Sequence, residues 1–189
     1  TSVDGLSGED ISTIYYSDEK SLIIIGYENG LIELIDEISG KVTSLVDISN
    51  QSAFPAANIK INNFFLDGNV LYIATGFGIV VYDLDTGFFR DTFLISDSSA
   101  VVSDVLAIGI LGDVILASVA GRGVYSGNKT NPNLITASNW TNIQSDVFVD
   151  IQMLADKLVA HKNTTDVYSY DGVIFSSSYI NTDVIIDFQ

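Results

Sequence analysis

The sequence predicts an all-β protein: a β-propeller segment of about four four-stranded antiparallel blades plus the start of a fifth. Two observations lead to this fold class. Short apolar runs alternate with turn-forming residues along all 189 residues, as expected for strands joined by tight turns. Groups of four such runs recur with a period of roughly 40–50 residues, which is typical of propeller blades.

The first hairpin shows the pattern most clearly. The apolar run at residues 22–25 is followed by a turn that contains Asn29 and Gly30, and a second strand follows at residues 31–36. Asn-Gly between two such runs is a strong hairpin signal because both residues tolerate a positive φ. A comparable pair of runs flanks residues 75–78, so the same hairpin is predicted again in the next blade.

All predicted strands belong to one partial propeller that covers residues 1–189. The blades are predicted at residues 10–47, 59–95, 103–144 and 147–177. Residues 183–189 match the first strand of a further blade, so the chain is expected to be a segment of a longer propeller. The two long loops, residues 49–58 and 127–139, hold both prolines, and no helix is expected.

Small residues near the end of each second strand set the predicted register. Gly26, Ala74, Ala117 and Ala160 are spaced 48, 43 and 43 residues apart and are assigned to equivalent positions. Their size indicates close packing against a neighbouring blade, since stacked repeats bury a continuous core. A segment would leave blade faces and strand edges uncovered, so the isolated chain is expected to associate with itself.

Composition excludes several classes of function. Lys and Arg total 8 against 24 Asp and Glu, a formal net charge of −16, which opposes binding to nucleic acid or to an anionic lipid surface. The most apolar window, residues 101–121, contains Asp104 and Asp113 and lacks the roughly 20 apolar residues of a membrane helix, so no membrane insertion is predicted. The absence of cysteine excludes disulfides and a cysteine nucleophile.

Two stretches of the sequence contain candidate functional residues, but a structural role is the preferred interpretation of both. No catalytic, cofactor-binding or metal-binding residue is therefore predicted. His161, the single histidine, has the chemistry of a general base, but it ends a predicted buried strand and spacing identifies no partner. Asp83 and Asp85 open a stretch that resembles a calcium loop. Gly87 and Leu94 fall where that loop requires an oxygen ligand and a glutamate. A turn between the third and fourth strands fits this stretch better.

Aromatic side chains are the remaining candidates for ligand contact. Tyr27, Phe77, Phe88 and Phe89 would stack on sugar rings if they were exposed. Aromatic residues in strands more often belong to the core, and the core is the preferred interpretation.

Several strings in the sequence resemble a known family. Residues 4–16 and 22–36 resemble the two-component-regulator propeller repeat, in which Gly-Leu precedes a strand ending in Gly, then Asn-Gly-Leu and a strand ending in Asp. Residues 25–33, 76–84 and 131–134 are similar to the PorZ family of type IX secretion system surface proteins. Together these strings extend over most of the chain.

The resemblance implies an N-terminal propeller of a larger exported protein that also has a second propeller and a C-terminal β-sandwich. Such a protein sits at the outer membrane or cell surface and helps a sortase-like partner attach anionic lipopolysaccharide to secreted cargo. The expected role is a non-enzymatic binding scaffold with protein partners in that complex. Lipopolysaccharide or another glycan is a further candidate partner, and no functional residue of the family transfers position by position.

Two other classes remain open at this point. The first is the ligand-sensing propeller of a periplasmic hybrid two-component histidine kinase. The second, and less favoured, is a propeller polysaccharide lyase or glycosidase. Such an enzyme requires carboxylates or a base that converge on a central cleft, and no acidic residue recurs at an identifiable position of that kind.

Overall fold

The computed structural model describes residues 6, 10–50, 52–95, 102–162 and 166–180. It confirms the predicted fold class, because four four-stranded antiparallel sheets form a four-bladed β-propeller. Within each sheet the strands lie in chain order, so every blade is a meander of three hairpins. The strand predicted at residues 183–189 lies outside the described residues.

The sixteen strands divide evenly among the blades. Blade 1 contains β1 (Ile11–Ser17), β2 (Leu22–Tyr27), β3 (Ile32–Asp36) and β4 (Val42–Leu45). Blade 2 contains β5 (Ile61–Asp67), β6 (Val70–Thr75), β7 (Gly78–Asp83) and β8 (Phe88–Phe93). Blade 3 contains β9 (Val105–Leu111), β10 (Val114–Val119), β11 (Gly123–Asn128) and β12 (Thr141–Gln144). Blade 4 contains β13 (Asp150–Leu154), β14 (Lys157–His161), β15 (Asp166–Tyr170) and β16 (Phe175–Ile180).

The long loops contain the helical turns of the described chain. Short 3₁₀ turns at Ala56–Asn58 and Ala137–Asn139 fall within the two loops that the sequence predicts. Neither 3₁₀ turn extends into a longer helix. In the part of the chain that the structure describes, no helix has the length and apolar character needed to cross a membrane.

Turn chemistry explains where the hairpins form. Gly30 adopts a φ of 80° between β2 and β3, a conformation that glycine reaches without steric cost. Each third strand ends at, or is followed directly by, a residue whose side-chain oxygen accepts a backbone hydrogen bond from the next turn. These four capping residues are Asp36, Asp83, Asn128 and Asp171.

Apolar cores join each blade to the next. Ile24 and Ile32 of blade 1 pack with Phe64 and Ile73 of blade 2, and all four are buried. Comparable cores lie between blades 2 and 3 and between blades 3 and 4. The blades approach closely, since a Cβ added at Gly26 would lie 2.6 Å from Cγ2 of Ile61 in blade 2.

The predicted equivalence of the small residues is wrong in blades 3 and 4. The second strands begin at Leu22, Val70, Val114 and Lys157, so Ala74 aligns with Ser118 and His161 rather than with Ala117 and Ala160. Ala74 faces blade 3, whereas Ala117 belongs to blade 3 and faces back into the same core. A shift of one residue turns a strand side chain to the other face of the sheet. The constant spacing of 43 residues between Ala74, Ala117 and Ala160 gives no indication of this shift.

Candidate functional site

The inner strands β1, β5, β9 and β13 surround an elongated cavity, here called the axial channel. It consists of one cavity of about 610 Å³ near the turns that follow the inner strands and one of about 850 Å³ near the starts of β5 and β13. Blade 1 packs on blade 2, blade 2 on blade 3 and blade 3 on blade 4, while blades 1 and 4 face each other across the larger cavity. Residues common to both cavities are Thr13, Ile14, Tyr15, Tyr16, Asn63 and Gln152.

A polar network on Asp150 forms one wall of the channel. Asn63 Nδ2 donates to Asp150 Oδ1 at 3.0 Å, and Gln152 Nε2 donates to Asp150 Oδ2 at 2.9 Å. The backbone N–H of Ile151 donates to the same Oδ1 at 2.9 Å. Burial raises the pKa of Asp150, and the hydrogen bond from Gln152 and the nearby His161 oppose this rise only in part. The wall therefore presents amide groups around a carboxyl that is partly removed from water.

The opposite wall, from blade 1, carries exposed aliphatic and aromatic side chains beside the hydroxyls of Ser12 and Thr13. Ile14 is 61% exposed and Tyr16 is 51% exposed, although both lie in a strand. The hydroxyl of Tyr16 donates to Oε2 of Glu37 at 3.1 Å, which leaves the ring beside the cavity. The lining of both cavities is more polar than apolar, and the exposed ring of Tyr16 adds an apolar surface to it.

The two acidic residues that line the channel belong to different cavities, Asp67 to the smaller one and Asp150 to the larger one. Among the described residues that line it, Asp67 and Asp150 are acidic. Asp67 lies four residues along β5 from Asn63, the partner of Asp150, which corresponds to about 13 Å along an extended strand. Asp67 Oδ2 is engaged by Lys129 Nζ at 2.5 Å, so this carboxylate is held in an ion pair.

His161 has a different setting from the one that the sequence suggests. It ends β14, as predicted, but it pairs with Asp150 across the β13–β14 ladder and lines the larger cavity. The histidine therefore belongs to the channel wall. Within the described residues, no group of three or more His, Asp or Glu side chains is arranged to hold a metal ion.

The stretch that resembles a calcium loop is a turn, as the sequence analysis favours. Asp83 is buried, and its Oδ1 accepts hydrogen bonds from Asp85 N at 2.8 Å and Thr86 N at 3.0 Å. Its Oδ2 accepts a charge-assisted hydrogen bond from Arg90. Both oxygens are thus used to hold the turn between β7 and β8.

The aromatic candidates are mostly core residues, as preferred. Tyr27 is 1% and Phe77 is 2% exposed, and Phe77 stacks on Phe54 with 4.2 Å between ring centroids. Phe89 is half-buried and packs edge-to-face against Tyr82. Phe88 is exposed at the start of β8, outside the channel.

Sequence reasoning missed Asn63 and Asp150. They are 87 positions apart in the chain, and neither belongs to a motif. One signal was available: Asn63 is a polar residue inside an otherwise largely apolar first strand, and Asp150 opens the equivalent strand of blade 4. A polar residue in an inner strand of a propeller points toward its axis or toward a blade contact.

Four meandering blades around an axial channel define the chain as a β-propeller domain. Residues 1–141 match the family described as the N-terminal β-propeller domain of PorZ in the type IX secretion system, and the chain belongs to that family. This confirms the resemblance noted in the sequence. No curated protein matches the sequence.

Solved structures show the same fold. PorZ, an essential surface component of the type IX secretion system of Porphyromonas gingivalis, matches with a TM-score of 0.73 and 22% identity over 97% of this chain. This chain spans 24% of that PorZ chain. The computationally designed protein Ika8 matches with a TM-score of 0.55 and 13% identity, over 95% of this chain and 52% of its own. The extracellular domain of the putative hybrid two component system BT4673 from B. thetaiotaomicron matches with a TM-score of 0.61 and 17% identity. The match covers 92% of this chain and 22% of that chain.

Proposed function

We propose that the chain is a non-enzymatic binding scaffold within a cell-surface component of type IX secretion and cargo attachment. The match of residues 1–141 to the PorZ N-terminal propeller family carries this proposal. The parent protein is then exported and placed at the outer membrane or cell surface. Its partners are the proteins of a secretion and attachment complex, and the isolated chain also associates with itself.

The axial channel is the proposed binding site for a glycan such as the polysaccharide of lipopolysaccharide. Asn63 and Gln152 each donate one amide N–H to Asp150 and have a second N–H for a ligand hydroxyl, whereas the carbonyl of Asn63 already accepts from the N–H of Ile108 at 3.5 Å. The exposed ring of Tyr16 supplies an apolar surface on the other side. The channel volume of several hundred Å³ falls within the usual range for ligand sites.

Deletion of the parent gene tests the scaffold role. In a bacterium that carries the gene and a type IX system, deletion should leave cargo in the periplasm or medium instead of attached at the surface. Surface proteolysis and immunoblotting of a cargo protein would report the loss, and a plasmid copy of the full gene should restore attachment. Unchanged attachment in the deletion strain would refute the role.

Titration with lipopolysaccharide tests the channel. Smooth lipopolysaccharide, which carries the polysaccharide, should bind, and rough lipopolysaccharide without it should not. Asn63→Ala and Gln152→Ala should each weaken binding about threefold to tenfold, as expected for a lost hydrogen bond. Asn142→Ala is the matched control because Asn142 is exposed in blade 3, outside the channel. Equal binding of both lipopolysaccharides would contradict the assignment.

The second candidate is a periplasmic ligand-sensing propeller of a hybrid two-component histidine kinase. The likeness to the extracellular domain of BT4673 favours it. The two candidates differ in the rest of the gene, since a sensor requires a membrane span followed by kinase motifs. If deletion altered transcript levels while surface attachment stayed normal, the sensor would replace the scaffold. The lyase or glycosidase alternative requires carboxylates or a base that converge on a cleft, and Asp67, one of the two acidic residues in the channel lining, is held in an ion pair with Lys129.

A further inference from the structure

A further cavity, here called the interblade cleft, opens between blades 1 and 2, at the end of the propeller that carries the β1–β2 and β3–β4 turns. Blade 1 contributes Lys20, Asp36 and Lys41 to its lining, and blade 2 contributes Asn69 and Asp85. The volume of the cleft is about 410 Å³, which falls within the usual range for small-ligand sites. It shares no lining residue with the two cavities of the axial channel, so it is a separate candidate site.

Strand pairing directs the polar groups of blade 1 into the cleft. Leu22 pairs with Asp36, and the backbone N–H of Asp36 donates to the carbonyl of Lys41 at 3.0 Å. Leu34 pairs with Thr43 two residues further along, on the same face of the sheet, because side chains alternate between faces with a period of two. Leu34 is 8% exposed in the core between blades 1 and 2. The side chains of this face, including Asp36 and Lys41, are therefore directed toward blade 2.

Hydrogen bonds hold several of the polar groups in place. Nζ of Lys20 donates to Oδ1 of Asn69, and Nδ2 of Asn69 donates to the two carboxylate oxygens of Asp85 at 2.8 and 2.7 Å. The turn that follows β3 donates two hydrogen bonds to Oδ1 of Asp36, so Oδ2 is the oxygen that can meet a ligand. Lys41 is exposed, and it forms no ion pair with any residue that the structure describes.

The junction of blades 2 and 3 shows the same position with a counter-ion of its own. Asp83, the counterpart of Asp36 at the end of the third strand, is 2% exposed, and its Oδ2 accepts a hydrogen bond from Arg90. Asp83 pairs with Phe88, and Arg90 follows two residues later. In blade 1 that place in the fourth strand is occupied by Thr43, which has no charge. Asp36 therefore lacks the hydrogen-bonded cation that Asp83 has.

We propose that the interblade cleft binds a free α-amino acid with an apolar side chain. The lining carries two ammonium groups, those of Lys20 and Lys41, and two carboxylates, those of Asp36 and Asp85. A simple anion would be repelled by the aspartates, and a simple cation would be repelled by the lysines. A zwitterion avoids both costs, because its carboxylate pairs with Lys41 while its ammonium group pairs with Oδ2 of Asp36.

The apolar side chain of the ligand has a matching surface in the cleft. Leu22, Leu34 and Leu84 line the cleft and belong to the apolar cluster between blades 1 and 2. Contact with these leucines removes apolar surface of the ligand from water. This contribution is needed because ion pairs at an exposed site stabilise little on their own. The cleft is therefore expected to prefer leucine or a similar amino acid over glycine.

An NMR titration with L-leucine as the probe tests this proposal. Two-dimensional ¹H–¹⁵N spectra should show saturable shifts of the Asn69 side-chain amide and of the backbone N–H groups of Lys41 and Thr43, with a dissociation constant in the millimolar range. N-acetylleucine lacks the ammonium group, leucinamide lacks the carboxylate and glycine lacks the side chain. Each of these should bind about fivefold more weakly than leucine. The absence of shifts with leucine, or equal binding of all four compounds, would overturn the proposal.

Substitution of Lys41 identifies the group that meets the ligand carboxylate. Lys41→Ala should weaken the binding of leucine about fivefold. It should leave the melting temperature unchanged, because the side chain is exposed and has no ion-pair partner within the described chain. Lys157→Ala is the matched control, since Lys157 is an exposed lysine at the same end of blade 4, outside the cleft. Unchanged binding in Lys41→Ala, or equal weakening by both variants, would refute the assignment.

Asp36→Asn tests the orientation of the ligand, since asparagine keeps an acceptor for the turn and removes the charge. The variant should weaken the binding of leucine and not that of N-acetylleucine, which has no ammonium group to pair with this residue. Equal weakening for both compounds would mean that the substitution disturbs the cleft as a whole, and it would contradict the assigned ion pair.

Discussion

Replacing Ile73 tests the blade packing most directly. Ile73 is fully buried in β6, lies between Phe64 and Val80 of the adjacent strands, and packs toward blade 1. Ile73→Ala removes three carbons, which corresponds to about 2.4 kcal/mol at roughly 0.8 kcal/mol per buried methylene. The unfilled cavity raises the expected loss in the free energy of unfolding to about 3–4 kcal/mol.

Thermal and urea denaturation measure this loss. For a chain of this size, each kcal/mol lowers the melting temperature by roughly 2–4 °C, so Ile73→Ala should melt about 6–16 °C below the wild type. Ile73→Asp should be worse at pH 8 than at pH 5, because a buried carboxyl without a partner has a folded-state pKa above its unfolded value. Ile38→Ala, at an exposed turn, is the control. If Ile73→Ala and Ile38→Ala melted at the same temperature, the assignment of β6 to a buried interface would be refuted.

Three further predictions concern other features of the propeller. Gly109→Val should lower the melting temperature, since a Cβ at Gly109 would lie 2.5 Å from Cγ2 of Ile151 in blade 4; an unchanged melting curve would contradict this close approach. Asp150 has a raised pKa, so its charge opposes folding above its unfolded pKa. In urea titrations the wild type should therefore lose stability as the pH rises from about 4 to 7, and the Asp150→Asn variant should not show this loss. The hydrogen bond from the Ser39 side chain lowers the pKa of Asp36, so its contribution to stability is lost on acidification, and Asp36→Ala should have less effect at pH 2.5 than at pH 7.

The sequence was sufficient to predict the fold because its signals are local. Asn29 and Gly30 identify a hairpin without any knowledge of the partner strand, and similar turns punctuate the whole chain. The positions of these turns are sufficient to predict the number of strands, their order and their grouping into blades. Capping residues such as Asp83 could also be identified, because the hydrogen bonds they accept come from residues two and three positions away.

The register between blades could not be read from spacing alone. Two residues separate the paired ends of β6 and β7, Thr75 and Gly78, whereas three separate Val119 and Gly123 in the next blade. The first and second strands also vary in length and carry bulges. Because side chains alternate between faces with a period of two, any single-residue difference reverses the predicted face. The predicted equivalence therefore places Ala117 on the wrong face of its sheet, although Ala117 is buried as the packing argument expects.

The channel was hidden for a related reason. Thr13, Asn63, Ala107 and Asp150 occupy one equivalent position, since they pair with Gly26, Ala74, Ser118 and His161. The repeat requires only that a side chain at this position fit beside a second strand, so its chemistry is free to differ from blade to blade. Asn63 and Asp150 meet across the axis because blades 2 and 4 present this position to the same space. Binding chemistry in such a fold therefore arises where equivalent positions carry different residues, and only the three-dimensional ring brings them together.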